Sequence, residues 1–188
     1  MVMDRSSVTV PKPPKREVVR IKVISMGEAG CGKSCLIKRY CEEKFVQKYI
    51  STIGVDFGVK SVVVDNHQVK VNFWDLAGAD EYFEVRNEFY RDAQGAMLVF
   101  DVADRASFEK LDTWLDEAYK HGATRDMHVV VCGNKTDSKN REVKNKEAQG
   151  WASKHGFMYY ETSAHSGDNV QTTFHALFST IVRNLPKR

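Results

Sequence analysis

Residues 27–34 read Gly27-Glu28-Ala29-Gly30-Cys31-Gly32-Lys33-Ser34. An apolar run, Val18-Val19-Arg20-Ile21-Lys22-Val23-Ile24-Ser25-Met26, precedes them, and Cys35-Leu36-Ile37-Lys38-Arg39-Tyr40 follows. A strand entering a glycine-rich turn that opens into a helix satisfies G-x-x-x-x-G-K-[ST] in the setting that pattern requires. Gly27, Gly30 and Gly32 are free to take backbone angles closed to side chains, so successive N–H groups can face inward on an anion. A helix beginning near Lys33 adds its positive end. In this frame Lys33 reaches outer phosphates and the Ser34 hydroxyl ligates Mg²⁺.

Outward from the loop, strand-like and helix-like segments alternate from Glu17 onward. The spacing predicts strands at Val18–Met26, Phe57–Asp65, Val69–Asp75, Ala96–Val102, His128–Cys132 and Phe157–Glu161. Three of them hold nearly continuous apolar runs (VVVD, MLVFDV and HVVVC), as expected where helices cover both faces of a sheet. Asp65-Asn66-His67 reads as a hairpin turn. Helices are predicted at Lys33–Cys41, Ser107–Lys120, Lys146–Lys154 and Asn169–Val182, the last with Phe174, Leu177, Phe178 and Ile181 on one face. The expected fold is α/β, a three-layer sandwich around a six-stranded, mostly parallel sheet, of the type that carries phosphate-loop nucleotide hydrolases. Residues 1–16 hold three of the four prolines and read as a flexible tail. Residues 17–184 form the expected domain, and 185–188 a short basic tail.

The 188 residues suffice for one domain with a full core. A net charge of +3 with no dense basic stripe argues against nucleic-acid binding. No apolar stretch approaches the roughly 20 residues that span a bilayer. The N-terminus, Met1-Val2-Met3-Asp4, offers neither a signal peptide nor a myristoylated glycine. The four cysteines match no zinc spacing and are expected to be free thiols. No cysteine follows Cys132, so no prenylation site is visible, and a monomer recruited from the cytoplasm by partners, without a lipid anchor, is expected.

The loop alone does not separate ATP from GTP. Asn134-Lys135-Thr136-Asp137 follows the buried run HVVVC, at the sheet edge where ligands bind. The Asp137 carboxylate can accept two hydrogen bonds from N1–H and the 2-amino group of guanine, a donor pair adenine lacks. Thr162-Ser163-Ala164 can offer N–H groups to the guanine O6, and Asp75-Leu76-Ala77-Gly78 ends another strand, with Asp75 near the metal and Gly78 near the γ-phosphate.

These elements, in this order, resemble the Ras superfamily of small GTPases from about Arg20 to Val182. STIGVDF at residues 51–57 and VNFWD at residues 71–75 resemble the Rab branch. RIKVISMG, KSCLIKRYCEEKFVQKY, GVDFGV and EVRNEFYRDAQG are similar to the RJL family, Rab-like proteins whose animal members carry a C-terminal J domain. No J domain is expected in this chain, which is either a short member or a fragment.

The resemblance implies GTP or GDP and Mg²⁺ as ligands. It places Glu28, Ala29, Gly30, Cys31, Gly32, Lys33, Ser34 and Cys35 around the phosphates, with Phe45 on the guanine face and Tyr49 over the phosphates. Ser34, Thr52 and Asp75 would hold the metal, while Lys33, Thr52, Gly78 and position 79 would act on the γ-phosphate. Asn134, Lys135, Asp137, Ser163, Ala164 and His165 would recognise the base, His165 replacing the family's lysine. Effectors would meet Phe57, Trp74 and Phe89, and a GTPase-activating protein and an exchange factor would act as regulators. RJL members also imply an association with cilia or flagella and signalling roles.

One departure matters for turnover. The family's Asp-x-Ala-Gly-Gln becomes Asp75-Leu76-Ala77-Gly78-Ala79, and a methyl group cannot orient the attacking water. Asp80 and Glu81 are the alternative holders of that water. No arginine lies between Val46 and Thr52 to act in cis. The expectation is tight GTP binding with very slow hydrolysis. Alternatives are a GTP-held binding module without turnover and a phosphate-loop kinase or ATPase, the last disfavoured by Asp137.

Overall fold

The computed structural model describes residues 18–45 and 50–186. Six strands, β1 (Val18–Met26), β2 (Val55–Val64), β3 (His67–Leu76), β4 (Gly95–Asp101), β5 (His128–Asn134) and β6 (Met158–Glu161), form one sheet in the order β2-β3-β1-β4-β5-β6. All neighbours pair parallel except β2 and β3, an antiparallel hairpin. Asp65 and Asn66 at its turn both have positive φ (46° and 65°), the backbone that a tight two-residue connection requires. The predicted α/β sandwich with a mostly parallel sheet is the observed architecture.

The helices are α1 (Lys33–Glu42), α2 (Phe83–Arg86), α3 (Arg105–Glu109), α4 (Leu111–Lys120), α5 (Asn145–Lys154) and α6 (Val170–Asn184). Strand alternation divides the core. Ile21, Val23, Val71 and Phe73 pack with Leu36 and Tyr40 of α1 and with Phe174, Leu177, Phe178 and Ile181 of α6. On the other face, Ile24, Leu98, Phe100 and Val131 pack with Leu111, Trp114 and Leu115 of α4 and Ala148 and Ala152 of α5. The predicted apolar stripe of the last helix is therefore its buried face.

Two expectations are corrected, and two further features carry no local signal. VVVD is not covered on both faces: β2 is an edge strand, and Val63 is 56% exposed on the side no helix covers. The single helix expected over 107–120 is two, α3 and α4, meeting at Lys110, and α3 starts earlier because the Asp104 carboxylate caps Ala106 N–H at 3.0 Å. Helix α2, flanked by 3₁₀ turns at Asp80–Tyr82 and Asn87–Phe89, carries no apolar period that would have revealed it. Leu185, the residue after α6, is partly buried against the α1–α6 core. Among the described residues no helix is long and apolar enough to cross a membrane.

Candidate functional site

β1 has parallel neighbours leading to opposite sides, so the loop leaving its carboxyl end opens into the crevice at the point where strand order reverses. Gly27, Gly30 and Gly32 of that loop take φ of 138°, 80° and 98°. A methyl on Gly27 would stand 2.1 Å from the Val99 carbonyl oxygen, and one on Gly32 2.3 Å from Asn134 Nδ2; Gly30 faces open space. Among the described residues no side chain caps the start of α1, which leaves its first amide groups to a ligand. Lys33 is 5% exposed, and its ammonium donates to the carbonyls of Gly27 (2.7 Å) and Glu28 (3.0 Å). Among the described residues no carboxylate pairs with it. A buried cation without a counter-charge is costly, so this loop is built to receive an anion.

In the same cleft, three oxygens converge from α1, the loop before β2 and the end of β3. The Ser34 hydroxyl lies 2.8 Å from Thr52 Oγ1 and donates to Asp75 Oδ2, and Thr52 Oγ1 is 3.5 Å from the same carboxylate oxygen. Ser25 Oγ donates to the other Asp75 oxygen at 2.5 Å and fixes that carboxylate's orientation. Two hydroxyls and one carboxylate are hard oxygen donors, a set that fits a magnesium ion which keeps other positions for phosphate and water. Gly78 closes the opposite wall: a Cβ there would stand 2.3 Å from Ala29 N.

The far end of the cleft is a slot between Phe45, Lys135 and His165. Phe45 and His165 meet edge-on at 5.0 Å, while the Lys135 ammonium reaches aside to Asp101 Oδ2 at 2.7 Å, leaving its stem along the slot. Asp137 accepts from Ser163 Oγ at 2.6 Å and has its second oxygen 3.5 Å from His165 Nδ1. Asn134, fully buried, donates to the Cys31 carbonyl at 2.9 Å and accepts from Thr162 Oγ1 and Ala164 N, so it ties the phosphate loop to the slot.

The cleft encloses about 360 Å³. Of the residues expected around it, Ala29, Gly30, Gly32, Lys33, Ser34, Cys35, Phe45, Thr52, Gly78, Asn134, Lys135, Asp137, Ala164 and His165 line it. Others stand behind its surface. The Glu28 carboxylate turns away to accept from Trp114 Nε1 at 3.0 Å, Cys31 is buried beneath the loop, and Ser163 braces Asp137. Asp75 is reached through Ser34, and Ala79 sits with its carbonyl held by Arg86 at 2.8 Å. Tyr49 lies outside the described residues.

Lys38, Ile50 and Ser51 also line the cleft and were not expected. Lys38 lies four residues after Ser34, one turn along α1, and Ile50 and Ser51 adjoin Thr52, so spacing alone could have suggested them. All four cysteines are free, and burial pushes the thiols of Cys31 and Cys35 up, which keeps them protonated. Beyond the cleft, Phe57, Trp74 and Phe89 form a continuous aromatic stack, with centroids 4.6 and 4.9 Å apart and Phe57 51% exposed.

Residues 22–183 match the family model described as Ras family. The chain belongs to the Ras family. Proteins of the Ras family bind GTP and GDP with Mg²⁺, hydrolyse GTP and work as switches read by effectors. The chain is also 48% identical over 182 residues to DnaJ homolog subfamily C member 27 of Rattus norvegicus, covering 94% of this chain and 66% of that protein. It is 49% identical over 176 residues to the Homo sapiens protein of the same name, with 91% and 64% covered. The chain thus spans about two thirds of the length of these relatives.

Proposed function

We propose that this chain is a Rab-like switch that holds GTP with Mg²⁺ and hydrolyses it very slowly on its own. The observation that carries the reading is Lys33, an ammonium 5% exposed and paired, among the described residues, only with carbonyl oxygens, at the head of a left-handed glycine cradle and in one cleft with the Ser34–Thr52–Asp75 oxygens. Lys33 would neutralise the outer phosphates, and the free amides of the loop and of α1 would bind their oxygens. Ser34, Thr52 and Asp75 would hold the metal, which when bound screens phosphate charge. Asp137, held by Ser163, would accept the two donors of guanine, and a bound adenine, which lacks them, would leave its carboxylate without partners. Thr52 would join the metal only while the terminal phosphate is present, which gives the switch its two states.

Ala79 supports the slow rate. Its methyl offers no donor or acceptor to a water, and the neighbouring Asp80 carboxylate is turned to solvent, 97% exposed and 4.0 Å from the Arg86 guanidinium. The aromatic stack of Phe57, Trp74 and Phe89 is the surface proposed for effectors. Ala79 also favours a second reading, a GTP-held binding module in which turnover has no role.

Mass spectrometry of nucleotide retained on the purified chain tests the first claim. Guanine nucleotide is expected, and bound adenine nucleotide would overturn the assignment. In single-turnover assays, Ala79→Gln should speed phosphate release by about a hundredfold, the scale on which a positioned proton-handling or water-orienting group acts. An unchanged rate would show that hydrolysis is limited elsewhere, and a fast wild-type rate would refute the slow switch.

A further inference from the structure

Arg86, at the end of α2, is 2% exposed, and nothing in its sequence context marks it. Its Nε and Nη2 fork the Glu117 carboxylate of α4 at 2.7 and 2.9 Å, and Tyr90 donates to the same carboxylate at 2.5 Å. Its Nη1 donates to the carbonyls of Ala77 (3.4 Å) and Ala79 (2.8 Å), the two residues that flank Gly78. The guanidinium also lies 4.4 Å over the ring of Trp114, one turn before Glu117 on α4. Trp114 Nε1 in turn donates to Glu28 of the phosphate loop at 3.0 Å.

Helix α4 therefore grips both walls of the cleft end where Gly78 faces Ala29. Through Glu117 and Arg86 it holds one wall, and through Trp114 and Glu28 the other. The peptide joining Ala77 to Gly78 is planar and trans, so its C=O and N–H point in opposite directions. With the Ala77 carbonyl drawn to Arg86, the Gly78 N–H of the same peptide faces away from the guanidinium, and the Ala79 carbonyl anchors the far side of Gly78. The approach to the phosphate loop is close, since a Gly78 Cβ would lie 2.6 Å from the Gly27 carbonyl oxygen.

We propose that Arg86, with Glu117 and Trp114, is a positioning residue for the terminal phosphate, presetting the Gly78 amide opposite the phosphate loop. The proposal rests on the reading of Gly78 as a γ-phosphate contact. The contribution is selective: GTP meets the Gly78 amide and GDP does not.

The test compares dissociation of fluorescent GDP and of a fluorescent, non-hydrolysable GTP analogue from the full chain, for wild type, Glu117→Gln, Arg86→Lys and Trp114→Phe, with thermal unfolding of each. In Glu117→Gln and Arg86→Lys the triphosphate analogue should leave about tenfold faster, the loss of about one hydrogen bond to a charged group, with GDP changed less than about twofold. Trp114→Phe keeps the stacking ring and loses only the bond to Glu28, so it should give a smaller shift of the same selectivity. Equal acceleration of both nucleotides, or a lowered melting temperature with no change in the ratio, would show a purely structural ion pair and overturn the proposal. A wild-type chain that holds neither guanine nucleotide would instead sink the nucleotide reading, and this proposal with it.

Discussion

Replacing Gly78 by alanine loads a contact made wholly of backbone atoms. The new methyl would stand 2.3 Å from Ala29 N, 2.5 Å from the Glu28 carbonyl carbon and 2.6 Å from the Gly27 carbonyl oxygen. All three are backbone atoms of the phosphate loop, so no side chain can swing away. Ordinary contact begins near 3.4 Å, and the two walls must part by about 1.1 Å to reach it. A Gly78 amide aimed at a phosphate oxygen from about 2.9 Å then passes beyond hydrogen-bond range. A hydrogen bond to a charged group contributes about 1.5–3 kcal/mol, so affinity for a non-hydrolysable GTP analogue should fall by about ten- to 150-fold. GDP, which lacks the terminal phosphoryl group, should change by less than about threefold. Titration calorimetry with both nucleotides, on protein shown to be folded by circular dichroism, gives the ratio directly. A Gly78→Ala variant that keeps the wild-type ratio of GTP to GDP affinity would refute the reasoning that this wall meets the γ-phosphate.

Three further outcomes are expected. Asp137→Asn swaps an acceptor for a donor opposite the base edge, and GDP affinity should drop by at least about a hundredfold while xanthosine diphosphate, with a carbonyl in place of the amine, gains; a calorimetric preference still for guanine would count against Asp137. Phe178→Ala empties a fully buried position between α6 and β3 and should cost about 3–5 kcal/mol in denaturant unfolding; a loss under about 1 kcal/mol would mean that the cavity collapses. The third concerns acid. Burial alone would raise the Glu117 carboxyl, but the Arg86 fork and the Tyr90 hydroxyl outweigh it and hold the group below its ordinary 4.5. A depressed carboxyl contributes stability that is complete above 4.5 and lost as pH falls through its folded value. Glu117→Gln should therefore flatten the acid limb of a stability-versus-pH curve, and an unchanged limb would show that other carboxylates control it.

Sequence periodicity located all six strands, the hairpin turn and the buried face of α6, because each carries a local rule: alternation, paired positive-φ residues, or apolar residues at helical spacing. It misread VVVD and missed α2. Covering of a strand is settled by its neighbours rather than by its own residues, and α2 depends on Arg86 being held from α4. Glu28 was expected among the phosphates because it lies inside the loop motif, yet its carboxylate faces Trp114, 86 positions away in the chain.

The chain's own order of residues thus determined the loop, its lysine and serine, the Asn-Lys-x-Asp segment and the alanine at position 79, since each is a short motif whose chemistry is local. Only the folded sheet could decide that Ser34, Thr52 and Asp75 share one point, that Lys33 is buried with no carboxylate partner among the described residues, and that α4 braces both sides of the cleft. Those groups come from separate elements, and parallel pairing of β1 with β3 and β4 is what carries them to one edge. Contacts between residues far apart in the chain leave no periodic trace along it, so a reader of the sequence has no pattern by which to find them.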